Sequence, residues 1–428
     1  MIDLVRVREN PLKLVELLDR KGFKLDATKL IKLDDNRKSL LTESEELKAE
    51  RNRISKLVPQ VQKEKGDVET LFAKVKSIGE RIKAIDEDLV KIANKLQKIM
   101  LSIPNIPDED LLGGEKENNV VIQNSVAPLP VKNFRIKDHV ELAESLGLVD
   151  YKTAAKISGY GTWIYTDLGA RLEWALISFF MNQHLADGYH FIMPPLLLNE
   201  ESGYVAGQFP KFKNDVFWLK GLEPKRFMLP TAETALVNLH RNEILSEEDL
   251  PRKYFSYTPC FRAEAGSHRQ EERGMIRGFQ FNKVEMVIYA KPEQSDEMFK
   301  ELVHKATRIC DLLGLHFQVS KLAAGDCSFA MARTYDIEVY LPSIGIYKEV
   351  SSCSNARDFQ ARRGLMRYRD KESGKTVLCH TLNASGLATS RLFPAILEQY
   401  QQEDGSVIIP DVLVPLMGGI KVLYPVKK

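Results

Sequence analysis

Residues 254–264 read Tyr-Phe-Ser-Tyr-Thr-Pro-Cys-Phe-Arg-Ala-Glu, and residues 278–285 read Gly-Phe-Gln-Phe-Asn-Lys-Val-Glu. Both alternate with the period of two that marks a strand, in which successive side chains point to opposite faces. Phe255, Tyr257, Pro259 and Phe261 share one face of the first; Ser256, Thr258, Cys260, Arg262 and Glu264 share the other. The first set suits a core, and the second presents a guanidinium and a carboxylate together. On the returning strand Phe281 and Glu285 have the same parity, so a ring and an acid share a face. Residues 265–273, Ala-Gly-Ser-His-Arg-Gln-Glu-Glu-Arg, make a polar loop too long for a tight turn. This grouping suits an adenine nucleotide, with the ring against the base and the arginine against phosphate charge. Without a ligand, the Arg262/Glu264 pair is a surface ion pair of little energetic value.

Outward from this hairpin, the chain from about 121 to 428 mixes helical and strand patterns. Tyr335 to Tyr340 alternates with period two, and Leu172 to His184 reads as a helix started by Thr166-Asp167. Hairpins outnumber strand–helix–strand crossovers, so an α+β fold with a largely antiparallel sheet is expected. Neither a Gly-x-x-x-x-Gly-Lys loop nor a Gly-x-Gly-x-x-Gly turn follows a strand, so a nucleotide would be held by charged side chains on a sheet.

Before residue 100 the pattern is different. Leu71, Val75, Ile78, Ile82, Ile85, Leu89, Ile92, Leu96 and Ile99 are spaced alternately by four and three, the seam of a coiled-coil helix. Upstream, Leu33, Leu40, Leu47, Ile54 and Val61 repeat every seven, with Asn36, Glu43, Glu50 and Leu57 read as the second row. Pro59, Gly66 and the charged residues 63–65 between the two helices allow a turn, so a long antiparallel helical hairpin is expected. Residues 1 to about 25 carry their own helical cue in Leu14, Leu17 and Leu18 after Pro11. Pro104, Pro107 and the Gly113-Gly114 pair interrupt all periodicity. The expected domains are 1–104, a linker 105–120, and 121–428.

The formal net charge is +2, which argues neither for nor against nucleic acid as partner. No apolar run is long enough to span a bilayer, and the N-terminus lacks a secretory pattern. The five cysteines, Cys260, Cys310, Cys327, Cys353 and Cys379, have no ligand or framework spacing, which points to reduced thiols in the cytoplasm. Basic residues at Arg51, Arg53, Lys56, Lys63 and Lys65 read either as a solvated coiled-coil face or as a nucleic-acid contact.

Phe261-Arg262-Ala263-Glu264, the loop with Arg273 to Arg277, and Gln280 to Glu285 resemble motif 2 of class II aminoacyl-tRNA synthetases. Among these, the likeness is to the seryl-tRNA synthetases of bacterial type. Leu229 to Glu233 resembles that family's serine-side loop, and Glu349 to Asn355 its ATP and metal strand. Asn383 to Arg391 resembles motif 3, and a vaguer motif 1 ends at Pro194 or Pro195. The helical hairpin resembles the family's tRNA-binding arm, including Leu47 to Asn52, so nearly the whole chain is covered. Two positions depart: Phe279 stands where the family has His, and Ala384 where it has Gly.

The resemblance implies ATP-dependent formation of seryl-adenylate, then transfer of the seryl group to the terminal adenosine of tRNA(Ser), and of tRNA(Sec). It implies a catalytic role for Arg262, Arg391 and Glu349. Serine would be held by Thr231, Ala232, Glu233, Arg262, Glu285, Asn383 and Ser385. ATP would be held by Arg262, Ala263, Glu264, Gly278, Phe281, Glu349, Val350, Ser351, Ser352 and Arg391. Phe281 would stack on adenine, with the main chain of Gly278 at its edge. Glu349 and Ser352 would hold Mg²⁺ through the phosphates, as hard oxygen donors do. Residues three apart in a straight strand face opposite ways, so this last pairing requires a bend at Val350-Ser351. The family also implies a homodimer built around motif 1, and RNA contact through the arm residues named above. Three rivals are open at this point: an enzyme charging a carrier protein, an RNA-binding paralogue without catalysis, and a coiled-coil scaffold.

Overall fold

The computed structural model describes residues 1–264 and 274–426. The polar loop at 265–273 thus lies outside the described residues. Two compact units are present, one of residues 2–19 and 23–104, the other of Met1, 20–22 and 105–428.

In the smaller unit, helix α1 (Ala27–Lys63) and helix α2 (Val68–Ser102) form an antiparallel hairpin. Each starts on an aspartate whose side chain accepts a backbone N–H of the first turn, Asp26 from Lys29 and Asp67 from Thr70. At about 1.5 Å per residue, α1 spans roughly 55 Å. The seam of α2 faces its partner as the spacing predicts: Ile78, Ile82, Ile85, Ile92 and Leu96 are buried. Each such side chain contributes about 2 kcal/mol of burial. Two expectations for α1 need correction. Its second seam row is Arg37, Ser44, Arg51 and Val58, one position after the row read from sequence. Ser44 is 2% exposed while Leu57 is 44% exposed. Alternating spacing from Leu40, Leu47 and Ile54 permits either row, and the crossing of the helices chose this one. Glu43 and Glu50 flank the seam and pair across it with Arg81 (2.7 Å) and Lys74 (2.9 Å). Pro59 also lies inside α1 and does not end it; the turn comes at 64–67. An exposed proline this near a helix end removes only one ladder hydrogen bond.

In the larger unit an eight-stranded sheet is built from β1 (Val120–Asn124), β2 (His190–Phe191), β3 (Arg252–Phe261), β4 (Gln280–Ala290), β5 (Phe317–Lys321), β6 (Arg333–Leu341), β7 (Ile346–Arg357) and β8 (His380–Ala388). Their spatial order is β1-β5-β6-β7-β8-β4-β3-β2. All neighbours run antiparallel except the short edge strand β2, which is parallel to β3. Helices α3 (Asp167–Ala186), α4 (Ser295–Leu312) and α5 (Thr389–Tyr400) pack on one face over Val284, Met286, Ile288, Leu382 and Ala384. Alternation then sends Lys283, Glu285, Asn383 and Ser385 to the opposite face. Thr166 precedes α3, but its hydroxyl donates to the Gly147 carbonyl (2.9 Å) and does not cap the helix. Within residues 105–120, read as a linker, Asn105, Pro107 and Leu111 are buried and residues 114–118 are exposed; Asn105 donates to the carbonyls of Ala330 and Ala356.

Candidate active site

The β3–β4 hairpin pairs Ser256 with Glu285, Thr258 with Lys283 and Cys260 with Phe281. Directly opposed residues share a face, so the parity read from sequence is realised. The strand ends at Phe261, however, and Arg262 and Glu264 lie beyond it. Glu264 has φ +49°, outside any strand. The Arg262 N–H still donates to the Phe279 carbonyl in the hairpin register, and the ladder stops where the Ala263 N–H leaves the hairpin for the Asp215 carbonyl.

A cavity of about 480 Å³ lies on this face. Thr231, Glu233, Arg262, Glu264, Glu285, Glu349, Ser352, Asn383 and Ser385 line it, from five separate segments of the chain. Thr231 Oγ1 donates to Glu285 Oε2 (3.0 Å) and accepts from Lys283 Nζ (2.7 Å), and Lys283 and Glu285 form an ion pair. Asn383 Nδ2 donates to Glu233 Oε1 (2.9 Å). Burial, and then the charge of Glu285, push the Glu233 carboxyl up to about 7, against the opposing effects of Gln360, Lys283 and Arg262. Arg262 Nε donates to the Pro230 carbonyl (3.2 Å), and its guanidinium covers the Phe281 ring at 5.1 Å from the centroid. Phe281 itself does not line the cavity.

The bend required of β7 is present. Ile337 pairs with Ser351 and Glu338 with Glu349, leaving Val350 as an extra residue in a bulge. Val350 (1% exposed) and Ser351 (0%) therefore turn into the protein, and Glu349 and Ser352 both reach the cavity. Ser352 Oγ donates to Glu349 Oε1 (3.1 Å), and Ser351 Oγ donates to the Ser385 carbonyl (2.6 Å). Burial opposes charge on Glu349, but Arg391, the Ser352 hydroxyl and Arg262 hold its carboxyl below the usual range. Burial and the Glu349 charge hold neighbouring Asp336 well above it. Arg391 lies at the start of α5, with Nη1 on the Glu349 carbonyl (2.7 Å).

Residues 217–400 match the tRNA synthetase class II core domain (G, H, P, S and T), and residues 1–107 match the seryl-tRNA synthetase N-terminal domain. The chain is 52% identical over 422 residues to serine--tRNA ligase 2 of Clostridium acetobutylicum, covering 98% of this chain and 99% of that one. It belongs to the seryl-tRNA synthetase family. A second member, the serine--tRNA ligase of Thermodesulfovibrio yellowstonii, is 46% identical over the same shares of both chains. The crystal structure of a family member from Pyrococcus horikoshii complexed with ATP superimposes with a TM-score of 0.94, at 32% identity, over 100% of both chains.

Set against the family residues named from sequence, the placement is uneven. Ala232, Ala263, Gly278, Val350, Ser351 and Arg391 do not line the cavity. Gly278 has no room for a side chain: a Cβ there would stand 2.3 Å from the Trp163 ring. Phe279, the departure from the family, packs edge-on to Phe217 (6.3 Å between centroids), and neither ring lines the cavity. Ala384 is fully buried between Cys353 and Met286. Among the arm residues, Arg51 is half-buried in the seam row and Arg53, Lys56, Lys63 and Lys65 are exposed.

Sequence reasoning missed several lining residues. Lys283 is one, although its parity with Phe281 and Glu285 already places it on the site face. Arg277 pairs with Glu264. Asp215, Phe212 and residues 328–331 come from segments with no periodic signal, and only folding brings them to the cavity. The five cysteines are buried and unpaired. Among the described residues no helix is long and apolar enough to cross a membrane.

Proposed function

We infer that this chain activates L-serine with ATP and transfers the seryl group to the 3′-terminal adenosine of tRNA(Ser). The reading is carried by the convergence of Arg262, Glu233 and Glu285 on one cavity, in a chain 52% identical to a serine--tRNA ligase over nearly its full length. Two carboxylates beside a threonine hydroxyl offer acceptors for an ammonium and a hydroxyl. A site built to hydrogen-bond a substrate hydroxyl rejects the analogue lacking it by roughly 10⁴–10⁵, so alanine is excluded without a separate editing step.

The serine carboxylate attacks the α-phosphate of ATP, and pyrophosphate leaves. The tRNA hydroxyl then attacks the carbonyl of seryl-adenylate, and AMP leaves. Neither step needs a protein nucleophile, so these residues act by positioning and by neutralising phosphate charge. Arg262 bridges the serine carboxylate and the α-phosphate. To do so it leaves the face of Phe281, which frees that ring for adenine. Arg391 meets the γ-phosphate, and Glu264 the adenine or ribose. Mg²⁺ fits the adjoining hard oxygens of Glu349 and Ser352, and when bound supplies charge neutralisation on the phosphates.

The hairpin α1–α2 grips tRNA(Ser), and tRNA(Sec), through Arg51, Arg53, Lys56, Lys63 and Lys65, by shape and phosphate contacts. A homodimer through α3 is supported by exposed Trp174 (56%) and Leu185 (50%) on that helix. Buried, unpaired thiols support a cytoplasmic location. The test is exchange of labelled pyrophosphate into ATP with serine as the sole amino acid, followed by charging of tRNA(Ser). Exchange with another amino acid and none with serine would refute the reading.

A further inference from the structure

Gln360 lies on α6 (Phe359–Gly364), the short helix that follows β7, and is fully buried. Its carboxamide is completely engaged. Nε2 donates to the Ala206 carbonyl (2.9 Å) and to Glu233 Oε1 (2.8 Å), and Oε1 accepts from the Thr381 hydroxyl (2.6 Å). A backbone carbonyl only accepts, so the nitrogen end of the amide must face Ala206 and Glu233. Thr381, also fully buried, locks the other end. Asn383 Nδ2 reaches the same Glu233 Oε1 (2.9 Å). Two neutral amides therefore occupy one carboxylate oxygen, and Oε2 makes no hydrogen bond among the described residues.

The surroundings explain why Glu233 needs this support. The acid facing it is Glu285, on β4. The cations are Lys283, already held by Glu285 and Thr231, and Arg262, held at Pro230. Gln360 and Asn383 approach from α6 and β8 without charge. A carboxylate so placed has little compensation until a cationic ligand arrives, and its carboxyl is accordingly pushed up to about 7. Left without the Gln360 amide, it would lose a hydrogen bond that favours the charged form and would hold its proton to higher pH.

We propose that Gln360 is a positioning residue for amino-acid activation: it pins Glu233 Oε1 and thereby aims Oε2 at the ammonium group of the substrate. The proposal rests on the reading of this cavity as the serine site. Its signature is a defect confined to the amino acid and dependent on pH, which a merely structural role would not give.

The experiment measures pyrophosphate exchange by the full chain from pH 6 to 9, varying serine and ATP separately, for the unaltered protein, Gln360→Met and Thr381→Val. Gln360→Met is expected to raise KM for serine about fivefold at pH 7 and about tenfold at pH 6, the effect of about one unit of carboxyl shift. KM for ATP stays within about twofold, and the acid limb of kcat/KM for serine moves to higher pH, so the defect shrinks toward pH 9. Thr381→Val, which frees the far end of the amide, shifts the same limb by less. Serine kinetics unchanged at every pH overturn the proposal, as does an equal rise in KM for serine and ATP without movement of the acid limb. If Gln360→Met does not fold, Thr381→Val is judged by the same two criteria. Absence of serine-dependent exchange in the unaltered protein overturns the underlying reading as well, and that arm separates the two failures.

Discussion

Arg391 Nη1 donates to the carbonyl oxygen of Glu349 at 2.7 Å and stands 3.3 Å from Oε2 of the same residue. One guanidinium at the start of α5 thus holds both the backbone and the carboxylate at the β7 bulge. Arg391→Ala is expected to slow serine-dependent pyrophosphate exchange about 10²–10³-fold, the usual cost of one charge-stabilising donor. KM for ATP rises with it and KM for serine does not. Arg391→Lys keeps a charge without the fork and falls between the two. Steady-state exchange kinetics decide this.

Arg262 has a different neighbourhood, stacked on Phe281 and tied to the Pro230 carbonyl. Arg262→Ala is expected to abolish exchange while leaving the fold intact, because its loss exposes a ring and breaks one hydrogen bond at the rim. Circular dichroism and thermal unfolding should match the unaltered protein. An exchange rate within tenfold of it would refute the central role of this residue.

For Glu233 the pH dependence has a definite sign. Its carboxyl, pushed up to about 7 by burial and by Glu285, is largely protonated at pH 6 and largely ionised at pH 8. A substrate ammonium needs the ionised form, so KM for serine is expected to rise by up to about tenfold per pH unit below 7 and to level off above it. Stability runs the other way. A carboxyl whose folded pKa exceeds its unfolded value favours the fold below about 4.5, and that contribution is lost as pH rises through about 7. Glu233→Gln should therefore unfold at a higher temperature than the unaltered protein at pH 8, with the difference shrinking toward pH 5, while serine activation is lost.

The hairpin register places Glu43 beside Arg81 and Glu50 beside Lys74, so residues 41 and 83 lie close together. Replacing 41–83 by a short Gly-Ser loop keeps the base of the hairpin and removes its far half. Pyrophosphate exchange is expected to stay within about twofold, and charging of tRNA(Ser) to fall at least a hundredfold as shape and phosphate contacts are lost. Loss of both activities in a folded protein would refute the division of labour between arm and body.

How much of this was legible beforehand depended on periodicity. The seam from Leu71 to Ile99 alternates without a miss, and the whole of it is buried or half-buried on α2. Strand parity on β3 and β4 put Arg262, Phe281 and Glu285 together before any coordinates. The limits were equally physical. Seven-residue spacing in α1 led to Glu43 in place of Ser44 for its second row, because a polar seam has no hydrophobic side to fix it. The end of β3 depended on which carbonyl the Ala263 N–H would find, and that carbonyl, of Asp215, lies far away in sequence.

By itself, then, the sequence determined the two architectures, the arm and the antiparallel sheet, and the faces on which the charged residues fall. These follow from local rules, the 3.6- and 2-residue periods of backbone geometry. Only the tertiary structure decided that Gln360 clamps Glu233, that Lys283 is shared by Thr231 and Glu285, and that a bulge at Val350 turns Glu349 and Ser352 to the same side. Such contacts join residues up to 127 positions apart, and no local period carries the distance between two side chains that meet only when strands from different parts of the chain are paired.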